Sequence, residues 1–134
     1  MSDLVLESLD AAAETGQDVT EAVNRAFHDR EPQAAGLMDH MDEHMLGRMM
    51  QEVLMVLMSE NPEDQLEYLN FEVGSHLGYG VTAPMYGALF AAVRDCVRDL
   101  VGEAWSPATE TAWKQRIRSL QEIVETTAKA PADA

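Results

Sequence analysis

The sequence predicts an all-α fold, and three observations carry that expectation. Apolar residues recur at spacings of three and four along almost the whole chain, the signature of helices with one buried face. No segment shows a convincing strand-like alternation of apolar and polar residues. Glycine, proline and capping residues divide the apolar stretches into about six or seven helical segments. With 134 residues, 46% of them hydrophobic, the chain 1–134 suits a single domain around one core.

The elements follow in order. Within 1–17, Leu4, Leu6, Leu9 and Ala13 outline a first amphipathic helix that Thr15-Gly16 closes. Asp18 is a good N-cap for a second, carrying Val19, Val23 and Phe27 and stopping before Pro32, because the residue ahead of a proline is pushed out of helical geometry. A short apolar piece, Ala34 to Met38, follows. Asp39 or Asp42 then caps a long helix to Met58, with Met45, Met49, Val53 and Val56 facing inward and Leu46, Met50, Leu54 and Leu57 beside them. Asn61-Pro62 starts the next helix, in which Leu66, Leu69 and Val73 point to the core and Gly78 and Gly80 mark the end. Thr82 caps a helix to Val101 with Tyr86, Leu89, Phe90, Val93, Val97 and Leu100 as its stripe, and Gly102 ends it. Ser106-Pro107 opens the last helix, whose apolar face is Trp113, Ile117, Leu120 and Val124. The tail 129–134, with Pro131, is expected to fray.

Charge and composition exclude several classes of function. Twenty-four acidic residues against 9 basic give a net charge of -15, a field that repels phosphate backbones and anionic membrane surfaces, so neither nucleic acid nor membrane is expected as a partner. The longest apolar run, Val53 to Met58, is far short of the roughly 20 residues that span a bilayer. The start, Met1-Ser2-Asp3, has no signal-peptide character, and the single Cys96 suits a reducing compartment, so a cytoplasmic location is the expectation. Cys96 itself reads as a small core residue.

The segment Ser75-His76-Leu77-Gly78-Tyr79-Gly80-Val81 places a histidine immediately before a Tyr-Gly-Val corner, with Tyr86 opening the next helix and Trp113 early in the last. In this the chain resembles the single-domain bacterial globins, over about Val19 to Val124 and most specifically after residue 74. The resemblance implies a three-over-three helical sandwich clasping a b-type heme. It implies His76 as the proximal iron ligand and a diatomic gas (oxygen, nitric oxide or carbon monoxide) as the partner. It also implies a pocket drawn from Val23, Phe27, Leu37, Met38, His44, Met45, Met49, Val53, Glu72, Tyr79, Val81 and Tyr86. A monomer, or a homodimer through the last two helices, is implied as well.

Such a ligand must be neutral, with one ring nitrogen on the metal and the other held by an acceptor; Ser75, or Glu72 one turn earlier on the same face, could supply it. Three positions depart from the family pattern. Leu37 or Met38 stands where such globins place a phenylalanine, Glu72 replaces a leucine, and Val23 or Asn24 falls where a hydroxyl donor to bound oxygen is usual. The expected spacing puts His44 at the distal position, but that register turns Arg48 and Glu52 into the pocket. Helical phase therefore favours Met45 as distal, with Met49 and Val53 lining the pocket and His44 at its rim.

Two other readings stand beside this one. His40-Met41-Asp42-Glu43-His44 matches an inverted zinc-protease pattern, which needs both histidines on one helix with Glu43 as base; a solvated helix start is the simpler reading. A globin-like domain whose core is filled without heme would serve as a sensor or interaction module. Gas binding makes no demand for an enzyme; heme-dependent nitric oxide dioxygenation would need an external reductase.

Overall fold

The computed structural model describes residues 3–129. Among them the chain forms seven α-helices and no strand: α1 (Leu4–Glu14), α2 (Thr20–Arg30), α3 (Pro32–Leu37), α4 (Glu43–Met58), α5 (Leu66–Leu77), α6 (Ala83–Val101) and α7 (Pro107–Lys129). Short 3-10 turns at Pro62–Gln65 and Gly102–Ala104 precede α5 and follow α6. The all-α expectation holds. Lys129 is the last residue of α7, and the rest of the expected tail lies outside the described residues, as do Met1 and Ser2.

Local chemistry sets the boundaries. The Asp3 carboxylate accepts from the Val5 and Leu6 amides and starts α1, while Gly16, at φ 74°, takes the left-handed turn after it. Of the two aspartates expected before α4, Asp42 is the cap: its carboxylate accepts from the Met45 amide at 2.9 Å. α2 begins one residue later than expected, because Asp18 bonds both the Thr20 amide and the Thr20 hydroxyl and leaves Val19 as the N-cap. Pro62 initiates a 3-10 turn rather than the α-helix itself, so Leu66 becomes the first residue of α5 and stays exposed instead of entering the core. Thr82 caps α6 and Gly102 ends it as expected.

Packing rotates some faces relative to the sequence pattern. α1 buries Val5, Ser8, Leu9 and Ala12, sharing only Leu9 with the expected stripe, and leaves Ala13 exposed. The shift follows from a polar contact inside the core: the Trp113 indole donates to the Ser8 hydroxyl at 2.8 Å, which pulls Ser8 inward. On α4 the deeply buried residues are Met50, Val56 and Leu57; Met49 and Val53 are half-buried and Met45 is exposed. The centre of the core is Val5, Val23, Leu57, Val73, Val93, Val97, Trp113, Leu120 and Val124. α6 and α7 pack on each other, α1 lies against both, α2 crosses α6, and α5 rests on α7. α4 packs on α1 and α2, and shares no comparable interface with α5.

One buried charge anchors this frame. Arg116, 8% exposed, donates to the Leu57 carbonyl at the end of α4 and pairs with Asp3 at 2.9 Å, joining α1, α4 and α7. Arg116 falls on the buried face, three residues after Trp113 and four before Leu120, but its charge conceals this in the apolar pattern and its partners come only through tertiary packing.

Candidate functional site

His76 occupies the last turn of α5, where a cationic or dipolar side chain is favoured, and its side chain is 45% exposed. Its Nδ1 lies 2.7 Å from the Glu72 backbone carbonyl. A carbonyl can only accept, so Nδ1 carries the hydrogen and, in the neutral ring, Nε2 keeps its lone pair. The Glu72 carboxylate is also near, with Oε2 at 3.3 Å from Nδ1. The acceptor expected from Glu72 is thus first its main chain and second its side chain, and Ser75 plays no part in the bond.

Glu72 is shared among several groups. Tyr68, one turn before Glu72 on α5, and Tyr86 on α6 both sense its charge. Burial, and then the Glu72 charge, push the Tyr86 hydroxyl up to about 12. Burial also raises Tyr68, with Glu72 and Glu52 of α4 adding to the shift. Glu52, Tyr68, Glu72 and Tyr86 therefore lie near enough to feel one another's charge, and His76 joins them through Glu72. Glu52 is one of the two charges that the His44 register turned towards the pocket, whereas Tyr68 was not among the expected residues; it sits at helical spacing from Glu72 and His76, which is the signal that could have found it.

The remaining expected site residues fall into three groups. Val23 and Phe27 are buried in the core on α2. Leu37, Met38, Met49, Val53, Val81 and Tyr86 are half-buried. His44, Met45 and Tyr79 are exposed, Tyr79 to 76%. The corner after His76 does reach the end of α3: Gly80, at φ 91°, lies against Leu37, where an added Cβ would be 3.5 Å from its Cδ2. Beside Leu37, the Met38 thioether sits 3.4 Å from His28 Nε2.

Asn24 is the residue whose environment the sequence conceals. It is 8% exposed on α2, next to Val23, and neither its amide nitrogen nor its oxygen has a hydrogen-bond partner in the protein. An amide desolvated in this way costs roughly 1–3 kcal/mol. The zinc pattern does not assemble as it requires: His40 lies in the turn before the Asp42 cap, off the helix that carries Glu43 and His44, and all three side chains are exposed. Among the described residues no group of three or more His, Cys, Asp or Glu is placed to hold a metal ion. Cys96 is half-buried, and burial together with Asp99 and Asp95 raises its thiol, which makes it a poor nucleophile at neutral pH. No described helix is long and apolar enough to cross a membrane. No family model, curated protein or solved structure matches the chain.

Proposed function

We propose that the chain is a globin-like heme protein that binds a diatomic gas, with His76 as the proximal ligand. The observation that carries the reading is the state of the His76 ring: its Nδ1 hydrogen is given to the Glu72 carbonyl and its Nε2 is left to ligate. Three further features support it. α2 packs on α6, α5 on α7 and α1 on both α6 and α7, pairings compatible with a three-over-three sandwich. Leu37, Met38, Met49 and Val53 are half-buried, leaving apolar surface for a large flat ligand to cover. Asn24 holds a buried donor and acceptor that nothing in the protein uses.

A b-type heme supplies an iron whose open coordination position takes up oxygen, nitric oxide or carbon monoxide. The chain's own residues do the rest. The Glu72 carbonyl fixes the ring tautomer and orientation, and its carboxylate favours a more strongly donating imidazole. Met45, Met49 and Val53 offer no hydrogen bond on the distal side, which leaves Asn24 as the candidate polar group there. The test is reconstitution with hemin. A Soret band is expected, lost in His76→Ala and retained in His44→Ala; a band that survives His76→Ala overturns the assignment of the ligand.

One observation favours a second reading, a heme-free interaction or sensor domain. The Glu52, Tyr68, Glu72 and Tyr86 side chains bring polar groups and negative charge to the place where an apolar porphyrin would lie. A folded chain that gives no Soret band with excess hemin selects this reading over the first.

A further inference from the structure

Where α2 meets α3, a ring nitrogen faces a sulfur. His28, in the last turn of α2, brings its Nε2 to 3.4 Å from the thioether of Met38, the residue that caps the C-terminus of α3. Both side chains are half-buried. The chain then turns on itself: the Met41 amide donates to the Met38 carbonyl at 3.0 Å, and Met41 is half-buried as well. Two thioethers and one imidazole thus issue from one corner of the fold.

The composition of this corner supports a role for its donors. Met38-Asp39-His40-Met41-Asp42-Glu43-His44-Met45 holds five His or Met in eight residues, whereas the whole chain of 134 has only 9 Met and 4 His. Sulfur and imidazole are concentrated where His28 arrives. A methionine that merely fills a core needs apolar neighbours, but Met38 sets its sulfur against a polar nitrogen, to which a thioether offers only a weak hydrogen-bond acceptor.

The thioethers select the ion. Zinc is held by thiolate, imidazole and carboxylate, whereas methionine sulfur suits monovalent copper, and imidazole suits copper too. Distance agrees with this. With bonds of about 2.0 Å to nitrogen and about 2.3 Å to sulfur, the lengths met at zinc sites, donors 3.4 Å apart subtend about 105° at an ion between them, close to tetrahedral. Asp29 and Asp39, next in sequence to His28 and Met38, add negative charge that favours a cation.

We propose that His28 Nε2 and the Met38 and Met41 sulfurs form a binding site for Cu(I). The ion takes the Nε2 lone pair while the ring hydrogen stays on Nδ1, so the neutral imidazole loses no proton and copper remains monovalent. The site uses neither His76 nor Glu72. It does share Met38 with the apolar surface offered to a porphyrin, so the heme-free chain is the form to test.

The experiment is an anaerobic titration of the full, heme-free chain against the coloured Cu(I) complex of bicinchoninate, whose absorbance falls as copper moves to the protein. A single equivalent is expected to transfer, and excess Zn(II) is expected not to displace it. His28→Ala, Met38→Leu and Met41→Leu should each weaken binding at least about tenfold, since the loss of even an outer partner of a metal ligand costs that much. Met55→Leu with Met58→Leu, which removes two exposed thioethers at the other end of α4, should leave binding unchanged. Leucine nearly keeps the volume of methionine, and unchanged circular dichroism checks that the variants fold. Redox-inert Ag(I) gives a second readout, in which the methyl resonances of Met38 and Met41 shift and those of Met55 and Met58 do not. A wild-type chain that takes no copper from bicinchoninate overturns the proposal. So does an equal loss in the Met55 and Met58 variant, or displacement of copper by Zn(II), and full affinity in Met41→Leu overturns the three-donor site.

Discussion

The two sides of this molecule treat buried polar groups differently. Where α1, α4 and α7 meet, Ser8 receives the Trp113 indole and Arg116 binds both Asp3 and the Leu57 carbonyl, so that of these side chains only the second Asp3 oxygen is left without a partner. Around α2, α4, α5 and α6 the accounting stays open. Asn24 is buried with neither amide atom bonded, the Glu72 charge helps to raise the Tyr68 and Tyr86 hydroxyls, and the half-exposed His76 keeps an unused ring nitrogen. Partnered groups repay their desolvation through hydrogen bonds, whereas unpartnered ones cost stability. The first side therefore holds the fold, and the second carries polar groups that the chain itself leaves unpartnered.

The largest effect is expected on the closed side. Trp113→Ala should cost about 3–5 kcal/mol in chemical denaturation, through the cavity left by a fully buried ring and the loss of the Ser8 bond. Trp113→Phe should cost less, because the ring volume is largely kept. A loss below about 1 kcal/mol for the alanine variant would show that this side is not the anchor, since large core truncations cost more.

The open side should respond with the opposite sign. Asn24→Leu removes two unsatisfied polar atoms at similar volume and should raise the stability of the heme-free chain by about 1–3 kcal/mol. In hemin-loaded protein the same change should weaken gas binding. Destabilisation of the heme-free chain by Asn24→Leu would mean that the amide is satisfied within the fold, and the contrast between the two sides would fail.

The smallest effect concerns alkaline pH. The Tyr86 hydroxyl is raised in the folded chain, from an ordinary 10.0 to about 12, so between these values the unfolded chain loses a proton that the folded chain retains. Stability is then full below pH 10 and declines as pH rises towards 12. Glu72→Gln removes the negative neighbour and should shift phenolate absorbance to lower pH, flattening that decline by less than about 1 kcal/mol. An unchanged tyrosine titration in Glu72→Gln would leave burial as the sole cause and remove Glu72 from the centre of the cluster.

The helices were readable because their signals are local. Asp42, Thr82, Gly102 and Ser106-Pro107 act within one turn of where they stand, and the stripes on α6 and α7 need only a period of 3.6. The site was readable only in part. His76 and Glu72 sit four apart on one helix, so their pairing could be anticipated, although the choice of the Glu72 carbonyl over its carboxylate could not. Tyr68, Glu52 and Tyr86 converge from three helices, and Asn24 looks like any helical asparagine until its surroundings are known.

By itself, then, the sequence determined an all-α chain, its main helix boundaries, its acidic surface and the placing of His76 at a helix end before a glycine corner. Tertiary structure alone decided that α1 turns Ser8 inward, that Arg116 is a buried tie between three helices, and that Asn24 is sealed from water without a partner. The physical reason is range. Caps, turns and periodicity are set by neighbours within a few residues, whereas desolvation and the partnering of a buried polar group depend on atoms that folding brings from elsewhere in the chain.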